Sequence, residues 1–233
     1  MTAVFLQVRL SSSRLPGKAL LELAGRTVIE HAMQALKRVP TDYHVLLTEE
    51  NSADTLARYA AGYGFSLFVG DPEDVLSRYA EACQWFDVHT VVRATGDNPL
   101  VSEAVARDAL AVHRHAKAHY TALTAGPLGT GVEVVDGDAL LEAARTAAAR
   151  YEREHVTPFI YRRPEQYRLR VQKVRPEWQL PDARVTLDTE ADYARIVGIY
   201  EELYAGAPID IETLVSHLRE RVGSRQVSHR NSA

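Results

Sequence analysis

The sequence predicts an α/β fold: a mixed, mostly parallel sheet with helices on both faces, folded as a single domain. Three observations carry this. Residues 3–8 are apolar at successive positions, as a strand buried on both faces must be. Strand-like runs then alternate with helical stretches of about 10–15 residues, the rhythm of parallel βαβ units. Finally, 233 residues of which 46% are hydrophobic suffice for one sizeable core.

Taken in order, residues 3–8 form the first strand and the polar stretch 9–18 a loop. Ile29, Ala32, Met33 and Leu36 recur at helical spacing, and Pro40 closes that helix. Residues 44–47 read as a strand, 52–63 as a helix, 65–69 as a strand, 74–86 as a helix and 90–94 as a strand. Beyond about residue 120 the rhythm changes: strands at 131–135 and 168–174 flank helices at 138–150 and 152–162. A short strand at 184–187 feeds a helix with Tyr193, Ile196, Val197, Tyr200 and Leu203 on one face. The last helix covers 211–222, and the polar residues 223–233 are expected to form a flexible tail. With no internal repeat or Gly/Ser linker, the domain is taken as residues 1–222.

Composition excludes several classes. With 27 Lys and Arg against 31 Asp and Glu, the net charge of −4 argues against a nucleic-acid or anionic-membrane surface. The one cysteine, Cys83, excludes an intrachain disulfide and reads as a buried thiol. The apolar start is far shorter than a membrane span of about 20 residues, and a cytoplasmic protein is expected.

The loop Arg9-Leu10-Ser11-Ser12-Ser13-Arg14-Leu15-Pro16-Gly17-Lys18 is the most informative segment. It follows the first strand, at the carboxyl edge where open α/β sheets place ligands. Ser11, Ser12 and Ser13 supply hydroxyl and backbone donors, Arg9 and Arg14 planar forks, and Lys18 a mobile point charge. Pro16-Gly17 fixes a turn that can bring Lys18 back over the loop. A polyanion is the expected ligand. Neither the Walker A spacing nor a Gly-x-Gly-x-x-Gly fingerprint is present, since Ser12 holds the first glycine position and Ala19 follows Lys18.

Gln7 through Lys18 resembles the QARxxSxRLPGK opening of the cytidylyltransferase superfamily, which includes 3-deoxy-manno-octulosonate and acylneuraminate cytidylyltransferases. It is most similar to the branch of spore-coat polysaccharide biosynthesis proteins. The likeness recurs in family order at residues 73–79 (EDVLSRY), 93–100 (RATGDNPL), 153–158 (REHVTP) and 184–189 (RVTLDT). Ser11 stands where the family has glycine. The resemblance implies a Rossmann-like nucleotide-diphospho-sugar transferase domain. Residues 1–120 would bind the nucleotide, 121–183 the acceptor and a second copy in a homodimer, and 184–222 would bring a metal-ligand strand.

Asp97 and Asp188 both follow predicted strands, so both should reach the loop's sheet edge. Two carboxylates facing a triphosphate suit Mg²⁺, which takes few protein ligands and completes its shell with phosphate and water. By resemblance these are the metal ligands, although Asp188-Thr189-Glu190 also reads as a helix cap. The implied reaction joins CMP from CTP to a small acidic acceptor and releases pyrophosphate, with Arg14 and Lys18 on the leaving group. By the same resemblance, Gln7, Arg9, Ser77, Arg78, Ala94, Thr95 and Gly96 lie near the nucleotide, and Glu133, Arg153 and His155 near the acceptor. His113, His115 and His119 do not share one helical face and read as solvated surface rather than a metal cluster. Three other readings stay open, a nucleotide-sugar glycosyltransferase, a guanylyl- or uridylyltransferase, and a nucleotide-binding module without turnover.

Overall fold

The computed structural model describes residues 1–11 and 14–230, the last nine by secondary structure alone. The chain runs β1 (Thr2–Gln7), β2 (Glu22–Leu23), β3 (Arg26–Thr27), α1 (Val28–Leu36), β4 (Tyr43–Thr48) and α2 (Glu50–Gly62). β5 (Ser66–Val69), α3 (Val75–Phe86), β6 (Thr90–Thr95), α4 (Glu103–Ala116), β7 (Tyr120–Thr124) and β8 (Glu133–Asp136) follow. Then come α5 (Gly137–Thr146), α6 (Arg150–His155), α7 (Pro158–Tyr161), β9 (Leu169–Lys173), α8 (Glu190–Leu203) and α9 (Ile211–Arg230).

Seven strands form one sheet in the order β5-β4-β1-β6-β8-β7-β9, and β2 and β3 make a small hairpin. Among the described residues β8 alone runs against the other six. The expected mixed, mostly parallel sheet is thus the one observed. β1 shows why it lies at the centre. Val4 and Leu6 pack with α1, α2 and α4 on one face, whereas Ala3 and Phe5 pack with α3, α5 and α7 on the other. That is the period-2 alternation of a strand buried on both sides. A third cluster, with Ile196, Ile199, Tyr200, Leu214 and Val215, seats α8 and α9 against Leu23 and Val28.

Several elements differ from expectation. The helix expected over 152–162 is two, because Val156 has φ 73° and Pro158 opens α7; proline lacks the N–H that would continue the first helix. Residues 184–187 form no ladder strand. Arg184 makes a single parallel bridge to Leu128, since its neighbour is a loop turning at Gly129 (φ 107°). The last helix continues to Arg230 instead of stopping at Val222, an internal glycine costing a helix only about 1 kcal/mol. Strand β7 had no counterpart in the sequence reading. No described helix is long and apolar enough to cross a membrane.

Cys83 is buried, as expected, and burial pushes its thiol up to about 12. His113 departs from its reading as solvated surface. It is 4% exposed, and its Nδ1 lies 3.0 Å from the Thr121 hydroxyl. α4 turns this residue inward onto the sheet, while His115 stays exposed. Burial foremost, helped by His119 and Arg114 and opposed by Asp136, lowers His113 to about 4. The folded state keeps the ring neutral while the unfolded chain protonates near pH 6.5. Stability is therefore complete above pH 6.5 and falls, by on the order of 3 kcal/mol, as pH drops toward 4. His113→Asn should flatten that acid limb in urea unfolding between pH 7 and 4.5. An unchanged slope would refute the assignment.

Candidate active site

The sheet reverses its strand order at β1, with β4 on one side and β6 on the other. A crevice opens at such a switch point, beyond the carboxyl ends of the strands. Gln7 and Thr95 are register partners there, the last residues of β1 and β6. Gly96 turns the chain just beyond, its N–H bonded to the Gln7 carbonyl at 2.8 Å. Its backbone presses on the layer beneath, for a Cβ on Gly96 would lie 2.8 Å from Val8 Cβ and 2.6 Å from Ile29 Cδ1. Close packing thus accounts for glycine at this position. Gly96→Ala should cost about 1–3 kcal/mol by overpacking, read as a lowered Tm; an unaltered Tm would contradict this.

The polar loop returns on itself. Gly17 adopts φ 65°, which glycine allows at no steric cost, and its N–H reaches the Leu10 carbonyl at 3.2 Å. This turn delivers Lys18 into the crevice, as the Pro16-Gly17 pair led us to expect. Lys18 Nζ lies 2.5 Å from Asp97 Oδ2, 3.2 Å from Asp188 Oδ1 and 2.9 Å from the Leu187 carbonyl. Two of the three ammonium donors are engaged by the Leu187 carbonyl and Asp188, and Asp97 adds an ion pair. Asp188 also meets Arg14 at 3.0 Å and Arg184 at 2.6 Å. Gln7, Val8, Arg9, Ser11, Arg14, Lys18, Thr95 and Asp97 line a cavity of about 230 Å³ here. Ser12 and Ser13 lie outside the described residues.

Asp188 is fixed from behind. Its backbone N–H donates to Asp192 Oδ2 at 3.1 Å, and Thr189 and Asp192 form a reciprocal cap on α8. Burial opposes the charge on Asp192, but Arg195, Thr189 and the Asp188 N–H together hold its carboxyl at about 2. The cap expected of Asp188 thus falls to its neighbours, leaving the Asp188 carboxylate facing Lys18. Asp97 and Asp188 converge on one cation, and they are hard oxygen donors. The pair fits a small divalent cation that completes its shell from phosphate and water. No group of three or more His, Cys, Asp or Glu among the described residues offers a fuller protein cage.

A second cavity of about 520 Å³ adjoins the first at Thr95, below β6, β7 and β8. Its floor is a charge pair. Arg93 Nη1 donates to Glu133 Oε2 at 2.6 Å, and Tyr120 and Thr157 donate their hydroxyl protons to Glu133 Oε1 at 2.6 and 3.0 Å. Burial opposes the charge on Arg93, yet Glu133 and its hydrogen bond raise the Arg93 pKa. Arg93 Nη2 also reaches the Gln7 side chain at 3.4 Å, so one polar chain joins the two cavities. Ala94 lines this second cavity with Thr95.

The remaining expected residues lie apart from Glu133. Arg153 donates to the Asp74 carboxylate, the Ser77 hydroxyl and the carbonyls of Ala144 and Ala147, tying α6 to the start of α3. Ser77 belongs to that same tie and bonds Asp74. Arg78 is 1% exposed and donates to the Asp71 carbonyl. These groups stabilise the turn before α3, beside a third cavity that also touches Arg9. His155 is exposed and packs on the Tyr151 ring at 4.4 Å. Of the acceptor candidates, the structure keeps only Glu133 at the adjoining cavity. Arg93, Tyr120, Thr157 and Arg184 were not singled out as site residues. A signal for Arg93 existed: an arginine inside one apolar strand faces a glutamate inside another, and the two are register partners.

Comparison with known proteins adds an independent line. Residues 3–211 match the family model described as cytidylyltransferase. The chain is 29% identical over 220 residues to the spore coat polysaccharide biosynthesis protein SpsF of Bacillus subtilis (strain 168), covering 91% of this chain and 92% of that one. It is also 29% identical, over 105 residues, to the 3-deoxy-manno-octulosonate cytidylyltransferase of Geobacter sulfurreducens; that match covers 44% of this chain and 41% of the relative. A solved cytidylyltransferase structure from Leptospira borgpetersenii superposes with a TM-score of 0.87 at 22% identity, covering 95% of both chains.

Proposed function

The chain belongs to the cytidylyltransferase family, and from that premise we propose that it transfers CMP from CTP to an acidic sugar or a phosphate- or phosphonate-bearing small molecule. The observation that carries this reading is the meeting of Lys18, from the loop after β1, with Asp97, from the turn after β6, and Asp188, just before α8. Cations from a serine-rich loop suit a triphosphate, and the two carboxylates suit its metal.

In this reading the triphosphate lies along Ser11, Arg14 and Lys18, and Asp97 and Asp188 hold Mg²⁺. When bound, the ion neutralises phosphate charge and orients the oxygens. The loop holds the α-phosphorus in line with the acceptor, converting a bimolecular reaction into a positioned one. An acceptor oxygen, either an anionic phosphate or phosphonate oxygen or a sugar hydroxyl that gives its proton to solvent, forms a bond to the α-phosphorus as the bond to pyrophosphate breaks, and pyrophosphate departs with its electron pair. Lys18 exchanges its carboxylates for the phosphates, and with Arg14 it offsets the charge gathering on the leaving group. The acceptor occupies the cavity floored by Arg93 and Glu133, next to Thr95. We also assign a homodimer, by analogy with the family rather than from any contact in the chain.

The test is pyrophosphate release with Mg²⁺, offering CTP, UTP, GTP and ATP separately with sugar acids, sugar phosphates and phosphonates. Release with CTP and one acceptor class is expected. CTP binding without release from any acceptor would overturn the proposal.

A further inference from the structure

Beyond the groups that meet the substrate, the structure assigns a positioning role in nucleotide binding to a buried pair behind the loop, Ser52 and Glu49, which fixes the backbone of Leu10. This rests on the reading of the loop as the triphosphate site.

β1 hands its chain to the loop in two steps. Val8 N–H still bonds a strand neighbour, the Leu47 carbonyl, at 3.0 Å. Two residues on, that ladder has no partner left. Leu10 N–H instead donates to the Ser52 hydroxyl at 3.0 Å, while the Leu10 carbonyl accepts the Gly17 N–H. Both polar groups of the Leu10 backbone are therefore held, and Leu10 closes the loop at its base. Ser11 and the residues from Arg14 to Pro16 lie within that closure.

The direction of the Ser52 hydroxyl decides whether the closure works. A hydroxyl has one proton and two lone pairs. Glu49 takes the proton through Oε1, and this turns a lone pair toward Leu10 N–H. The Glu49 carboxylate is itself held, as its other oxygen accepts the Asn51 N–H at 2.6 Å at the start of α2. Ser52 is 1% exposed and Glu49 3%, and neither lines a described cavity. They act through Leu10, without touching substrate. The pair is shielded from water, and losing the Ser52 hydroxyl removes the acceptor that holds Leu10 N–H in place.

A helix cap and nothing more would make a different prediction: its loss would lower stability and leave nucleotide affinity alone. Ser52→Ala is expected to raise the Kd for CTP, measured by calorimetry without acceptor, about tenfold or more through the displaced loop. The acceptor KM should stay within about twofold of wild type, since the second cavity is untouched. Hydrogen exchange supplies the second reading. The Leu10 amide should be protected in the ligand-free wild type and exchange rapidly in Ser52→Ala. A CTP Kd within about twofold of wild type overturns the inference. Should Ser52→Ala fail to fold, wild-type exchange decides: protection at Leu10 supports the closure, and exchange at the rate of a free loop overturns it. If the wild type releases no pyrophosphate with any acceptor, the cytidylyl reading falls, whereas the Leu10 exchange result stands separately.

Discussion

Lys18→Ala should lower kcat/KM for CTP about 10²–10³-fold, the usual loss when one charge contact to a developing anion is removed. The expectation follows from where the side chain sits. It is 13% exposed and meets Asp97, Asp188 and the Leu187 carbonyl together, so its truncation ends three contacts at once. Lys18→Arg should not restore activity, since a planar fork cannot meet three acceptors arranged around one nitrogen. The variant should also bind a divalent cation more tightly in the absence of nucleotide. The wild-type ammonium already neutralises both aspartates, and its removal leaves Asp188 with Arg14 and Arg184 but Asp97 with no ion-pair partner among the described residues. Manganese titration followed by electron paramagnetic resonance would read this apart from turnover. Retention of more than half the wild-type kcat/KM would end the assignment of Lys18.

The second large effect is on stability. Glu133→Ala leaves the Arg93 guanidinium, whose side chain is 16% exposed, beside Tyr120 and Thr157 with no anion. Breaking a buried ion pair from one side costs about 3–5 kcal/mol, which for a chain of this length is a Tm decrease on the order of 10 °C. Replacing both partners, as Arg93→Met with Glu133→Leu, should recover most of that loss, because two well-packed apolar groups carry no desolvation penalty. The double variant should nonetheless stay inactive, as the acceptor cavity loses its polar floor. Differential scanning calorimetry on the three proteins tests the first part, and pyrophosphate release the second. A single variant as stable as wild type would show that the pair contributes little.

Local pattern made much of this legible. The apolar run at residues 3–8, the helical spacing of Ile29, Ala32, Met33 and Leu36, and the strand before Asp97 all formed as expected. So did the return of Lys18 through Gly17, since a left-handed glycine turn is written in a few adjacent residues. What escaped depends on pairing across the sheet. His113 looks like surface until β7 lies beneath α4, and Arg93 looks like an isolated charge until β8 brings Glu133 opposite. Arg153 carries the chemistry of an anion ligand, but the approach of α6 to α3 consumes its donors. Side-chain type was readable at each position, and the partner was not.

Lys18 and Asp188 stand 170 residues apart along the chain. At about 5–20 residues per second, a ribosome delivers the second on the order of ten seconds after the first. Throughout that interval the growing polypeptide carries the cationic loop without the carboxylate that completes it. A premature stop between Lys173 and Asp188 would therefore release a fragment with all seven strands of the large sheet and a truncated reaction centre. Turnover becomes possible only once Asp188 has been made, so catalysis itself reports that synthesis has passed this residue.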